Sequence, residues 1–124
     1  MLGGVDIIAF VPTTDSAKAR AFYEGVLGLR FVKDDGFALV LDANGIMVRV
    51  AKMKEFVPAH FTILGWKVSN IENVVRGLQK RGVQFEIFGF FNQDELGIWT
   101  APTGDKAAWF KDTDGNILSA SQHL

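Results

Sequence analysis

The chain contains the same order of local patterns twice, and this repeat limits the possible folds more than any other feature. In each half, a short apolar run is followed by an amphipathic helical pattern, a glycine and several strand-like runs. The halves are in register, since Asp15 corresponds to Asn70 at an offset of 55 and Gly28 to Gly82 at an offset of 54. A period of roughly 60 residues is long enough for a repeated supersecondary unit.

The repeat predicts one α+β domain over residues 1–124, built from two βαβββ units that we call module one (1–57) and module two (58–124). At this length about two-thirds of the unfolded chain's surface is buried on folding, so neither a disulfide nor a structural metal is required.

In module one, the near-continuous apolar run 5–11 is typical of a buried strand, and Pro12 is expected to end it. Asp15 or Ser16 is suited to cap a helix that ends at Gly28. The strand-like runs that follow are 29–33, 37–42 and 46–52.

Module two begins with the predicted strand 61–68. Ser69 and Glu72 have the spacing of a capping box, and the helix they open is expected to end at Gly82. The later strand-like runs are 83–89, 97–101, 106–112 and 116–122.

Each module also contains an Asx-Gly pair between two strand-like runs, Asn44-Gly45 in the first and Asp114-Gly115 in the second. Such pairs fit type I′ hairpin turns, and chance repetition of a common turn is the alternative. Because helix, glycine and hairpin recur in the same order, we interpret the two hairpins as equivalent corners of the two modules.

Composition excludes several classes of protein. Thirteen Lys and Arg against fourteen Asp and Glu give a net charge of −1, without the basic surplus typical of a nucleic-acid binder. No apolar run approaches the roughly 20 residues that span a membrane, and the N-terminal residues do not resemble a signal peptide. The chain has no cysteine, which suits a reducing compartment. These features predict a soluble, cytoplasmic protein with no nucleic-acid or membrane partner.

Two segments make the sequence similar to a known family. "AFYEGVLGLRF" after the first strand and "AWFKDTDGNILS" near the end resemble the vicinal oxygen chelate superfamily, which includes glyoxalase I, extradiol dioxygenases, and fosfomycin- and bleomycin-resistance proteins. The resemblance covers nearly the whole chain, although Thr113 stands where the family usually has proline. It implies two βαβββ modules that form a curved, incompletely closed mixed sheet with the helices outside. It also implies a cavity walled by the sheets, and commonly a homodimer.

Many members of this family hold a metal ion with one inward side chain from each of four strands. Carried over by register, those positions are Ile8, Arg49, Ile63 and Ser119. Isoleucine has no lone pair to offer, a lone serine hydroxyl is a poor ligand, and a guanidinium repels a cation. We therefore expect no metal and no cofactor.

The two histidines offer an alternative metal site. His60 lies three residues before Ile63, so strand alternation is expected to turn it to the other face. His123 shares the face of Ser119 and is expected at the rim or in a frayed terminus.

Without a metal, the inward positions predict a pocket for a small organic ligand. Pairing Lys111 with Ile117 places Trp109 opposite Ser119. The predicted ligand-binding residues are Ile8, Phe10, Arg49, Ile63, Trp109, Ser119 and Ser121. The alternative is that the apolar members fill the sheet interior while Arg49 extends to solvent.

Loop 89–95 carries Phe90 and Phe91 beside polar residues. A lid over a pocket, a dimer contact, and one inward Phe beside one exposed Phe are all consistent with this pattern.

The sequence thus supports a small-molecule binding protein, resembling bleomycin-resistance proteins, that binds or sequesters an aromatic or amphipathic compound. The cavity lies between modules or subunits, and a homodimer is expected. The alternatives are a glyoxalase-like lyase, isomerase or dioxygenase with shifted metal ligands, and a metal-free enzyme in which Arg49 binds an anion. No catalytic residue is assigned.

Overall fold

The structure, a computed structural model, describes residues 1–124 and divides into two compact units, Met1–Val57 and Pro58–Leu124. Each unit has one four-stranded mixed sheet, and neither sheet is closed. In each sheet the first strand runs parallel to the last, and the other neighbours are antiparallel. The fold is therefore α+β with two similar modules.

Module one follows the order strand, helix and three strands, and its strands lie side by side in the order β1-β4-β3-β2. The elements are β1 (Ile8–Thr13), α1 (Ser16–Arg20), β2 (Arg30–Asp34), β3 (Ala38–Ala43) and β4 (Ile46–Lys52).

The first strand differs from its predicted range and burial. It runs over Ile8–Thr13 and includes Pro12, which was expected to end it. β1 is an edge strand that pairs only with β4, and a proline is tolerated at such an edge because its missing N–H can face outward. Only the side chains toward the helix are buried: Val11 is inaccessible, whereas Phe10 is 61% exposed.

Equivalent residues cap the two helices. The Asp15 side chain accepts a hydrogen bond from the backbone N–H of Lys18, and the Asn70 side chain accepts one from Asn73, both at 3.1 Å. The predicted capping box at Ser69 is wrong by one residue, since Asn70 occupies the cap position. An Asx side chain satisfies a free N–H of the first helical turn as well as serine does.

The first helix widens after one turn and a half. Its second part, Ala21–Val26, is π-helical, and the Leu27 N–H bonds to the Phe22 carbonyl five residues back at 2.9 Å. Within this wider turn the consecutive Phe22 and Tyr23 are both buried, and their rings meet edge to face with centroids 5.3 Å apart. The chain then leaves the helix at Gly28, which has the left-handed φ of +80° expected for this stop.

Module two has the same order of elements, and its strands lie in the order β5-β8-β7-β6. The elements are β5 (Thr62–Lys67), α2 (Ile71–Lys80), β6 (Trp99–Thr100), β7 (Lys106–Lys111) and β8 (Ile117–Gln122). Between helix and sheet lie Ile71, Val75, Ile98 and Ala108.

The predicted strand 83–89 does not form, apart from one isolated bridge between Phe85 and Phe110. The Gln93 side chain provides the hydrogen bonds that a strand would otherwise make. Its amide donates to the carbonyl oxygens of Glu86 and Gly97 at 2.9 and 2.8 Å, and its Oε1 accepts the Phe88 N–H at 2.7 Å. This segment is therefore held as a loop, and apart from the Phe85 bridge the edge of β7 pairs with the short β6.

The two hairpins that the repeat equates have different turns. Ala43 pairs with Ile46 around a two-residue turn, and both Asn44 and Gly45 have positive φ, as a type I′ turn requires. In module two Lys111 pairs with Ile117, which leaves the five residues 112–116 in the turn.

Buried polar side chains organise the longer turn. Asp112 Oδ1 accepts the N–H groups of Asp114 and Asn116, and its Oδ2 accepts the Asn116 amide at 2.8 Å. Asp112 is 7% exposed and Asn116 is 1% exposed. Because these groups are shielded from water, the pair stabilises the corner of module two.

We predict that Asp112→Ala lowers the free energy of unfolding by about 1–3 kcal/mol, because a buried amide and two backbone N–H groups lose their acceptor. The matched control is Asp42→Ala at the equivalent position of module one, where the carboxylate accepts only a 3.5 Å bond from Gly45 and is 4.0 Å from Arg30. We expect this control to change stability by less than about 0.5 kcal/mol. Urea unfolding measures both values, and equal losses would contradict the prediction.

Candidate functional site

The last strand of each module lies inside its sheet, and its side chains alternate between the sheet face that the helix covers and the opposite face. We call this opposite face the open face. In module one, Arg49 pairs with Phe10 on this face. In module two, Ser119 pairs with both Gly65 and Trp109. The pairing of Trp109 with Ser119 confirms the predicted register of this hairpin.

Module one has a cavity of about 410 Å³ at one end of its open face. Its apolar wall includes Ile8, Val32, Val40 and Met47, and its polar lining includes Asp6, Arg30 and Asp42. Phe10 lies two residues along the strand from Ile8 and is not part of this lining. The predicted ligand-binding residues of module one are therefore spread along the face instead of converging on one cavity.

Arg49 is engaged in an ion pair within its own module. Its Nη2 lies 2.9 Å from Asp35 Oδ2, and both side chains are about one-quarter exposed, at 25% and 26%. The N–H groups of Phe37 and Ala38 also donate to Asp35, each at 2.9 Å. These two backbone donors, and then Arg49, lower the pKa of Asp35 to about 2. A guanidinium has five N–H donors, so this pair orients Arg49 without using all of them.

The hydrogen bonds to Asp35 predict that the stability of the protein depends on pH in the acid range. Its carboxyl has a pKa of about 2 in the folded protein against an ordinary 3.8. A lowered pKa means that the carboxylate favours the folded state above pH 3.8, and that this contribution is lost as the pH falls through about 2. We expect wild type to exceed Asp35→Asn in stability at pH 5 and the difference to disappear near pH 2. Chemical unfolding at each pH measures it; a pH-independent difference would contradict the assignment.

Module two has a different kind of cavity, of about 390 Å³, which we call the aromatic pocket. Its aromatic lining consists of Phe61, Phe88, Phe90, Phe91 and Trp109. Ile117, Thr62, His60 and Lys111 complete it. A mainly apolar cavity of this size with a few polar groups is typical of small-molecule sites.

Trp109 is the fixed centre of the aromatic pocket. Its indole Nε1–H donates to Thr62 Oγ1 at 3.1 Å, which sets the orientation of the ring. The Phe91 ring lies parallel to it, with centroids 5.1 Å apart and an interplanar angle of 4°. Phe88 meets the same indole edge to face at 5.6 Å. The face of Trp109 therefore already accepts a planar ring in an offset stack, the geometry that aromatic pairs favour.

The predicted loop 89–95 carries two of these rings. Phe91 is partly buried, and its ring also packs against that of Trp99 with centroids 4.9 Å apart, whereas Phe90 is 80% exposed. One inward and one exposed phenylalanine was one of the arrangements considered from the sequence. Gln93 fixes the base of the loop, so Phe90 and Phe91 lie at its tip beside the aromatic pocket.

The start of β5 differs from the expected register by one residue. A bulge between Thr62 and Leu64 leaves Ile63 out of the pairing with β8, and Ile63 is not among the pocket residues. Thr62 takes the position beside Trp109 instead. His60 lines the aromatic pocket with Thr62, whereas Ile63 does not. The two residues His60 and Ile63 therefore differ as expected, but it is His60 and not Ile63 that faces the pocket.

The two serines lie beyond this pocket on the open face of module two. A Cβ on Gly65 would come within 2.6 Å of Ser119 Oγ, so the glycine makes room for that hydroxyl. Ser121 Oγ lies 2.9 Å from His123 Nε2. His123 also contacts Asp105, so the end of the chain is held by side-chain bonds and does not fray.

The four positions that the family uses for metal are a poor donor set in this structure. Ile8 is apolar, Arg49 is ion-paired, Ile63 lies at the bulge, and Ser119 brings one hydroxyl. No three His, Cys, Asp or Glu side chains lie together in an arrangement that would hold an ion. The residues present therefore do not fit the family's metal site.

Sequence reasoning missed several pocket residues, including Phe61, Thr62, Phe88 and Lys111. Phe61 and Thr62 lie at a strand start whose bulge has no sequence signal, and Phe88 was placed in a strand that does not form. Lys111 was recognised only as the partner of Ile117. A separate finding concerns membranes: neither helix combines the length and the apolar character needed to cross one.

Comparison with solved structures shows the same fold over the full chain. A superfamily member from Sphaerobacter thermophilus is 22% identical with a TM-score of 0.77, covering 99% of this chain and 100% of the other. An antibiotic-binding protein from a Streptomyces species is 20% identical with a TM-score of 0.75, covering 100% and 99%. A lactoylglutathione lyase from Agrobacterium tumefaciens is 14% identical with a TM-score of 0.74, covering 98% and 96%.

No curated protein matches the sequence. The family described as Glyoxalase/Bleomycin resistance protein/Dioxygenase superfamily does match it, over residues 4–119. That match spans both modules and agrees with the paired βαβββ units. The chain therefore belongs to the Glyoxalase/Bleomycin resistance protein/Dioxygenase superfamily.

Proposed function

We propose that this protein binds or sequesters small planar aromatic compounds, without a metal ion, in the aromatic pocket of module two. One observation carries the proposal: the Trp109 indole is tethered to Thr62 and stacks in parallel with Phe91. A rigid indole costs little conformational entropy when a ligand ring stacks on it, since its orientation is already set.

The polar groups around the pocket limit the ligand further. Lys111 lines it, and its ammonium is 3.5 Å from Glu86 with both side chains partly exposed. His60 and Thr62 add hydrogen-bonding groups. An aromatic ring with one anionic or hydroxyl substituent matches this lining, because the ring contacts the aromatic side chains while the substituent reaches Lys111 or His60.

The fold by itself is compatible with binding and with catalysis. The structural neighbours include an antibiotic-binding protein and a lactoylglutathione lyase, and each shares the whole fold with this chain. Because unrelated functions occur on one fold, the proposal depends on the pocket residues and not on these likenesses.

We predict that Trp109→Leu weakens binding of small aromatic acids by roughly 2- to 13-fold, because a stacked aromatic pair contributes about 0.5–1.5 kcal/mol beyond the area it buries. Leucine keeps most of the apolar contact and removes the ring face. The control is Phe37→Leu, a ring of module one that is 80% exposed and lines neither cavity. Calorimetric titration measures both, and equal affinity in wild type and Trp109→Leu would exclude this pocket.

His60 is the one observation that favours the alternative, a metal-dependent lyase, isomerase or dioxygenase, since it brings an imidazole into the pocket. The binding proposal predicts no stoichiometric heat when nickel, manganese, zinc or iron(II) is titrated into the protein. It also predicts that His60→Ala leaves this result unchanged. Tight uptake of one metal per chain that His60→Ala abolishes would support the enzyme and contradict the binder.

The proposal includes a homodimer, because module one exposes large apolar side chains such as Phe10 and Phe37, at 61% and 80%. The mass of the protein in solution tests it. The cytoplasmic location stays a prediction from the sequence.

A further inference from the structure

Three polar side chains form a hydrogen-bonded chain at the end of β8. Ser121 Oγ lies 2.9 Å from His123 Nε2, and His123 Nδ1 lies 3.3 Å from Asp105 Oδ2. The hydroxyl and the carboxylate therefore meet opposite nitrogens of one imidazole. A hydroxyl, an imidazole and a carboxylate in this order are the components of a base-activated nucleophile.

A hydrogen bond from the backbone holds the Asp105 carboxylate in place and favours its ionised form. Asp105 Oδ1 accepts the backbone N–H of Leu124 at 3.0 Å. This bond, and then the contact with His123, lowers the pKa of Asp105. An ionised Asp105 accepts a hydrogen bond from Nδ1–H of His123, and in that tautomer the lone pair on Nε2 faces the hydroxyl of Ser121.

Ser121 is accessible on the open face of module two. It pairs with Lys67 on β5, and residues paired in register point to the same face. Trp109 pairs with Ser119, two residues and roughly 7 Å along β8. A molecule at Ser121 thus has an ammonium group on one neighbouring strand and an aromatic ring on the other.

We propose that Ser121, His123 and Asp105 form an esterolytic site, in which Ser121 is a nucleophile that accepts acyl groups from aryl esters. This activity goes beyond the proposed binding function, and it does not require the aromatic pocket to bind a ligand.

The reaction has two balanced steps. Ser121 Oγ bonds to the acyl carbon as its proton moves to His123 Nε2, and the bond to the aryl oxygen breaks, with the proton passing to the departing phenoxide. Water then attacks the acyl carbon, gives a proton to His123 Nε2, and the bond to Ser121 Oγ breaks. The carboxylic acid leaves, and the proton returns to Ser121.

The surroundings favour aryl over alkyl esters. A phenol has a pKa of about 10, so phenoxide leaves with less help from proton donors than an alkoxide does. The Lys67 ammonium supplies positive charge on the face where the oxyanion develops. Trp109 offers a surface on which the aryl group can stack.

The experiment is to treat the intact protein with a small fluorophosphonate and to measure hydrolysis of p-nitrophenyl acetate. We expect one adduct per chain, mapped by mass spectrometry to Ser121, and no adduct in Ser121→Ala. The matched control is Ser69→Ala, an exposed serine of module two that belongs to neither site, which is expected to label as wild type. Mapping on wild type itself does not depend on any variant folding.

The other two residues have separate readouts. His123→Ala is expected to slow labelling by roughly 10²-fold or more, the usual contribution of a positioned base. Asp105 is a positioning residue, and Asp105→Asn keeps an oxygen acceptor for the Leu124 N–H. We expect it to lower kcat without changing KM, and to shift the ¹⁵N resonances of His123 away from the Nδ1–H tautomer.

Two results would overturn the proposal. One is an adduct on a lysine or on no residue, with Ser121 unmodified. The other is ester hydrolysis at the same rate in wild type and Ser121→Ala, which would assign the turnover to other surface groups. Labelling of Ser121 in wild-type protein that shows no calorimetric binding of aromatic acids would support this site while contradicting the proposed binding function.

Discussion

The last strand of each module pairs with a neighbouring strand on both of its edges. The rest of the structure depends on this constraint. β4 lies between β1 and β3, and β8 lies between β5 and β7. Because side chains alternate along a strand, this one placement decides which residues pack under the helix and which face outward. Val48 and Val50 are buried on one side of β4, and Arg49 between them lies on the open face. The helix covers the side of the sheet on which Val48 and Val50 are buried, and its cap and its terminal glycine set where it begins and ends.

The two modules keep this framework and differ where polar side chains replace backbone pairing. In module one, β3 and β4 meet at a two-residue Asn-Gly turn. In module two, the buried Asp112 and Asn116 hold a longer turn, and Gln93 holds a loop where module one has a strand. That loop brings Phe88 and Phe91 onto Trp109. A few polar side chains that differ between the modules thus account for an aromatic pocket in module two that module one lacks.

The open faces show how one fold carries different chemistry. At the four positions that the family resemblance assigns to metal ligands, this chain has two isoleucines, an ion-paired arginine and a serine, which are a poor donor set for a divalent cation. Residues on the open face alternate with the residues that pack under the helix, so a change on the open face leaves the helix-facing contacts of its neighbours in place. Function is therefore free to change on this face while the fold is retained.

The sequence by itself determined the features that depend on neighbouring residues. These are the repeat, the cap at Asp15, the left-handed glycines, and the pairing of Trp109 with Ser119, whereas the second helix is capped one residue past the predicted Ser69. The tertiary structure alone decided the bulge at Ile63, the loop built on Gln93, and the contacts that define the sites. Trp109 meets Thr62 across 47 positions, Arg49 meets Asp35 across 14, and His123 meets Asp105 across 18. Such contacts have no local signature, because they depend on which strands become neighbours and how far each is shifted.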